Sequence, residues 1–205
     1  MTALYRLDAV AAEIALQFGA LAGSDPWRGG HVAPGQFAPI ITAGREAIAG
    51  PRAECQPRRM VPRLWGVPPP PKALGARQGV LSVRNLDSPF WIGNLRNSEF
   101  RCLVPATGFM EWGRTDPTTG KRHQHWLACT DQPLFAFAGV WKDSEVPSFA
   151  LLTCKAGAAM RKLGLEVMPA ILPPDPGAWQ AWLNADWGEA SRSIAPYSSS
   201  LLTER

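Results

Sequence analysis

Twenty prolines are spread through 205 residues, about twice the usual ~5% share. Proline removes a backbone donor and breaks a helix from within, so the chain argues against a bundle of long helices. What the prolines leave between them are short apolar runs of strand type. FAPIIT at 37–42, MVPRLWG at 60–66, GVLSVRN at 79–85, RCLVP, TGFMEWG, HQHWLACT, PLFAFAGVW, SFALLTC and MPAIL follow one another along the sequence. Pro62 assigns MVPRLWG to a sheet edge. DPTTG at 116–120 is a turn with a mechanism, Pro for the bend and Gly for positive φ.

Helices are few. Val10, Ile14 and Phe18 recur every four residues, which predicts a first helix from about Asp8, its N-cap, to Leu21. KAGAAMRKLG reads as a helix ended by Gly164. PPDPGAWQAWLNADW opens another, with Asp175 at the cap and Pro176 at the first helical position. NLDSPFWIGNLRNSE is irregular with one short helix. Many short strands, tight turns and a few helices predict an α+β fold. The expected architecture is a single domain over residues 1–190, with a mainly antiparallel, curved or barrel-like sheet flanked by helices. Residues 191–205, YSSSLLTER among them, are expected to be a frayed tail.

The apolar runs are far shorter than the ~20 residues that span a bilayer, and MTALYRLDAV lacks the pattern of a signal peptide. The four cysteines form no CxxC pair and read as reduced thiols, so a cytoplasmic protein is expected. The net charge is only +4, yet residues 45–101 hold ten Lys and Arg against four Asp and Glu. This segment suits phosphates, or is a solvated face that binds nothing. Arg58, Arg59 and Arg63 carry the same two readings. The proline run PPPP at 68–71 reads as a stiff connector, with a peptide-binding-module ligand as the alternative.

The run CLVPATGFMEW at 102–112 contains one charge, Glu111. A buried unpaired carboxylate is costly, so Glu111 has either a structural partner or a chemical task. The structural reading pairs it with Arg84 as a buried ion pair. The chemical reading makes it a carboxyl of raised pKa that moves protons in a partly buried pocket. Other constellations are weak. None of the three histidines precedes a GxSxG elbow. His123, His125 and Cys129 would share one strand face but lack a fourth metal ligand, and no metal or other cofactor is expected. Of the nine tryptophans, Trp65, Trp91 and Trp112 are candidates for base stacking, with the core as the competing place for each.

Taken in order, HVAPGQ, RLWGVP, SVRN, RCLVPATGFMEW, LLTCKAG and MPAIL resemble the SOS-response-associated peptidase (SRAP) family, from MTALYRL to about Trp187. The resemblance implies proteins that crosslink to abasic sites in single-stranded DNA. In that family an N-terminal cysteine, exposed by loss of Met, forms an imine with the abasic aldehyde through its α-amine and closes a thiazolidine with its thiol. A Glu manages the protons, an Asn and an Arg in a short strand hold the site and the phosphate, and a His before the late MP element assists.

Carried over, Glu111 and Arg84 match. Thr2 stands where the cysteine belongs, Ser82 stands at the Asn position, and His31 replaces an Asn before the APG turn. Gly164, Leu165 and Glu166 occupy the histidine's neighbourhood. The implied site is therefore a degenerate one, with Thr2, Glu111 and Ser82 as the catalytic set and Arg84, His31, Arg63 and Trp65 toward DNA. A monomer that binds single-stranded or abasic DNA, with impaired crosslinking, is the leading expectation. Its competitors are lyase or transient imine chemistry through the Thr2 amine, whose ordinary pKa is near 8, and a protein-interaction role without DNA.

Overall fold

The structure, a computed structural model, describes residues 2–44, 57–70, 79–198, 200 and 202–204. Two sheets form the molecule. The first contains β1 (Leu4–Leu7), β3 (Gly30–Val32), β8 (Gly108–Thr115), β9 (Arg122–Cys129) and β13 (Leu202–Glu204), in the order β13-β9-β8-β1-β3 with every pairing antiparallel.

The second contains β2 (Ala20–Leu21), β4 (Phe37–Thr42), β5 (Arg58–Trp65), β7 (Arg101–Ala106), β10 (Phe135–Lys142), β11 (Ser148–Lys155) and β12 (Val167–Pro169). The short β6 (Ser82–Val83) adds to β11 in parallel. Parallel pairing of Leu64 and Trp65 with Ser148 and Phe149 joins β5 to β11. The ring β5-β4-β7-β10-β11 thereby closes, and closure removes the exposed edges that a five-strand sheet would otherwise present. The α+β class and the mainly antiparallel, barrel-like sheet are as the sequence predicts.

The core lies inside this ring and between it and the first sheet. Tyr5 meets Trp65 edge-on at 5.1 Å and Phe137 at 6.1 Å, while Phe109 meets Phe137 at 5.6 Å. α1 (Ala11–Phe18) buries Ile14 and Phe18. α4 (Pro176–Asn184) buries Trp179 against Phe18 and donates from the Trp182 indole to the Cys102 carbonyl at 2.9 Å. α4 is capped as predicted, with Asp175 accepting from Gly177 and Ala178. α2 (Ile92–Arg96), α3 (Ala158–Lys162) and α5 (Trp187–Ala190) are short.

Three local expectations are corrected. The first helix neither begins at Asp8, whose N–H donates to the Thr107 hydroxyl, nor runs to Leu21, which lies in β2 and pairs with Arg59. Val10 is the N-cap instead, its N–H held by Glu13 at 2.9 Å, and Gly19 ends the helix at φ 59°. β5 is not an edge. Its Pro62 faces Pro39 of β4, while β2 pairs beyond it at Arg58 and Arg59 and β11 at Leu64 and Trp65. Two prolines can face each other only where neither N–H is needed by the partner strand, and on its other side Pro62 falls in the gap between β2 and β11. The end of the chain is not frayed over its described residues. Tyr197 is buried and donates to Asp131 at 2.5 Å, and β13 pairs with β9. Pro71, the last of the proline run, lies outside the described residues.

Candidate active site

β8 places Phe109 and Glu111 on the face of the first sheet that turns toward the core, since Phe109 stands opposite Tyr5. Glu111 is 0% exposed. Just before β1, Thr2 is 5% exposed, and the Ala3 N–H donates to the Met110 carbonyl at 3.4 Å. This alignment brings the Thr2 hydroxyl to Glu111, where it donates to Oε1 at 2.5 Å. Burial raises the Glu111 carboxyl above the ordinary glutamate value. The N-terminal ammonium, the Thr2 hydroxyl and the Arg122 charge pull it back without cancelling the rise.

The ion-pair alternative for Glu111 is overturned. Arg84 is exposed just beyond β6, in the other sheet, and forms no ion pair with Glu111. The acid's charged neighbours are the amino end of the chain and Arg122. Arg122 is fixed by donating to the carbonyls of Gly113 at 3.0 Å and Trp112 at 2.7 Å.

The other expected residues are dispersed. Ser82 is half-buried in β6, beside Leu151 of β11. His31 pairs with Arg6, so both point to the outer face of the first sheet, opposite to Glu111. There His31 meets Trp126 edge-on at 5.5 Å and lines a cleft of about 240 Å³ with Arg6, Asp8 and Thr107. Trp65 is 0% exposed and donates to the Leu81 carbonyl, so neither of its faces is open to a base. Trp91 is also core, whereas Trp112 stays partly open with Arg122 over its ring at 6.0 Å.

The basic segment is partly architectural. Arg58 ties the Phe18 carbonyl to Gln180. Arg63 lies over Trp141 at 4.9 Å and donates to the Pro62 carbonyl. Arg101 is wholly buried, donating to the Leu95 and Ala185 carbonyls beside the Trp182 ring. Arg84 and Arg96 are exposed. Arg45, Arg52, Lys72 and Arg77 lie outside the described residues.

His123, His125 and Cys129 do not gather. His123 sits 3.8 Å from Asp116, His125 contacts Glu204, and Cys129 is buried with its thiol pushed up to about 12, by burial first and Asp131 second. Among the described residues no three metal-ligating side chains meet, and no helix is long and apolar enough to cross a membrane. Sequence reasoning missed the His125–Glu204 contact because Glu204 lies in the segment expected to fray, and no motif marks it.

Fold and site define a protein whose second residue is built into the core against a buried acid. The chain belongs to the SOS response associated peptidase (SRAP) family, whose model matches residues 1–204. Its fold is similar to that of a Bacteroides thetaiotaomicron protein, at a TM-score of 0.75 and 19% identity over 98% of this chain and 90% of that one. A Bordetella bronchiseptica protein is similar at 0.73 and 20% identity, covering 98% and 97%. A phage-related protein of the same organism matches at 0.71 and 15%, covering 99% and 92%. No curated protein matches the chain. Family membership supports a role related to the DNA damage response.

Proposed function

We infer that this protein recognises single-stranded DNA at abasic sites and engages the abasic aldehyde through a reversible imine, without a stable crosslink. The observation that carries the reading is the Thr2 hydroxyl on the Oε1 of fully buried Glu111. Once Met1 is removed, the free α-amine is carried by the same residue whose hydroxyl makes that contact. Its nitrogen attacks the aldehyde carbon of the ring-opened sugar to give a carbinolamine. Glu111, kept protonated to higher pH by burial, donates a proton to the departing hydroxyl, and water leaves.

The next step separates threonine from cysteine. Attack of the Thr2 hydroxyl on the imine carbon closes an oxazolidine, which reopens in water more readily than a thiazolidine because oxygen is the weaker nucleophile. An imine that persists open is also prone to β-elimination, which is lyase chemistry. Arg84, exposed beyond β6, is assigned to phosphate contact, and Arg63 has a smaller share because Trp141 and Pro62 hold it.

Borohydride trapping tests the reading. The processed protein is incubated with a single-stranded oligonucleotide bearing one abasic site, with and without reductant, and run on a denaturing gel. A band only with reductant is expected. A band in both lanes would show that a stable adduct forms without cysteine, and no band in either would remove the imine.

A further inference from the structure

β8 and β9 do not run in step to the end of their hairpin. Trp112 stands opposite Gln124 and Thr115 opposite Arg122, so Gly113 and Arg114 together face His123 alone. An extra residue in one strand of a pair is a β-bulge, and a bulge re-aims the side chains around it. This one is held in place. The carbonyls of Trp112 and Gly113 accept from the Arg122 guanidinium at 2.7 and 3.0 Å.

Regular alternation would put Arg114 on the face of Trp112, away from Glu111. The contacts place it elsewhere. Gly113 lies on the Glu111 face, because a Cβ there would meet the ring of His125, the cross-strand partner of Glu111, and would lie 3.5 Å from the Leu163 carbonyl oxygen. The residue after Leu163 is Gly164, at φ 84°, and a Cβ on it would fall 2.5 Å from Arg114 Nε and 2.8 Å from its Cδ. The Arg114 stem therefore crosses bare backbone at Gly164, on the side of the sheet that carries Glu111. Arg114 is exposed, and among the described residues it makes no hydrogen bond or ion pair. Its neighbours are committed elsewhere: Arg122 holds the bulge, and Arg161 donates to the Ala156 carbonyl at 2.7 Å. Arg84 approaches the same connection from the other sheet. The Val83 carbonyl beside it accepts from Thr153 of β11 at 2.9 Å, and β11 leads through α3 to Gly164.

We propose that Arg114, turned by the bulge and seated on Gly164, is a second phosphate-binding residue of the site, holding the backbone of single-stranded DNA beside the abasic sugar. The assignment rests on the DNA reading given above. Three strand residues separate Arg114 from Glu111, about 10 Å at ~3.3 Å per residue, so its head serves a flanking phosphate and not the reacting aldehyde. With its stem fixed and its planar fork of donors open, the side chain suits two-point contact with phosphate oxygens.

The test follows the anisotropy of a labelled single-stranded oligonucleotide, with and without one abasic site, over a salt series. Borohydride trapping is followed in parallel against DNA concentration. R114Q is expected to weaken binding several-fold and to reduce the slope of log K against log salt by about 0.7. It should raise the DNA concentration for half-maximal trapping more than it lowers the limiting rate. R114K should keep the slope yet bind more weakly than the wild type, because an ammonium carries the charge without the fork. R192Q removes the same charge from an exposed arginine beyond α5 and should leave the slope alone. G164A, shown by its melt to be folded, crowds the Arg114 stem; it should weaken binding in the wild type and add nothing to R114Q. An unchanged slope in R114Q, or an equal loss in R192Q, would overturn the assignment. A wild type that binds while R114Q is indifferent sinks Arg114 alone. A wild type without affinity for single-stranded DNA sinks the DNA reading and Arg114 with it, whereas binding without trapping removes only the imine.

Discussion

The Thr2 hydroxyl and the Glu111 carboxylate meet at 2.5 Å across 109 positions of sequence. The start of the chain is thereby held to the middle of β8, and whatever atom residue 2 offers is presented to a buried acid. That geometry makes residue 2 the place where the fate of an imine is decided. T2C should convert a reductant-dependent adduct into one that survives a denaturing gel without reductant, because a thiol closes the ring more firmly than a hydroxyl. T2V, which keeps the shape and removes the hydroxyl, should still trap with reductant if the amine is the reacting group. Intact mass of each variant must first show that Met1 has been removed.

Glu111 is expected to lower stability as pH rises. Its folded-state proton affinity is raised by burial, so the folded protein keeps a proton that the unfolded chain has released. Stability from this group is fullest below the unfolded carboxyl value, ~4.3, and is lost as pH climbs through the higher folded value. E111Q retains an acceptor for the Thr2 hydroxyl and removes the titration. Thermal melts across that range should show a shallower fall in Tm with pH for E111Q, with trapping abolished. An identical pH slope would mean that the carboxyl is not perturbed.

The sheet was legible because its strands are short, apolar and bounded by Pro and Gly, as in FAPIIT and PLFAFAGVW, and local pattern suffices there. Which strands close the expected barrel-like sheet was not, because the β5–β11 pairing at Leu64–Ser148 joins segments with no shared signature. The first helix was overextended for a related reason: Ala20 and Leu21, expected at its end, pair with Arg58 and Arg59 of β5. Glu111 announced itself as the one charge in an apolar strand. Local pattern did not mark its partner Thr2, which came only from the family resemblance, since the two meet through strand register, and register is a property of the assembled sheet.

Gly113 tests that register. A methyl group there would sit 2.3 Å from His125 Nε2, so the ring must shift or the strand must move. Overpacking of this kind costs about 1–3 kcal/mol. G113A should lower the urea midpoint accordingly, and the loss should be much smaller in an H125A background. Additive losses in the double-mutant cycle would mean that the two residues do not touch.

Arg101 shows how a basic residue can be misread from charge alone. It counts toward the positive segment at 45–101, yet it is fully buried at the start of β7, with its guanidinium donating to the Leu95 and Ala185 carbonyls and lying 5.7 Å from the Trp182 ring centroid. It links the end of α2 to the end of α4. Replacing it with Met removes both donors and leaves carbonyls without them in the interior, at a cost on the order of 3 kcal/mol. R101M should therefore melt well below the wild type, and R101K should fall between them because one ammonium cannot span both carbonyls. The contrast with R84A is diagnostic. Losing one phosphate contact should reduce the slope of log K against log salt by about 0.7 on single-stranded DNA. R84A is expected to do so at unchanged stability, whereas R101K should lower stability and leave the slope alone. A reduced salt slope in R101K would return Arg101 to the DNA-facing surface.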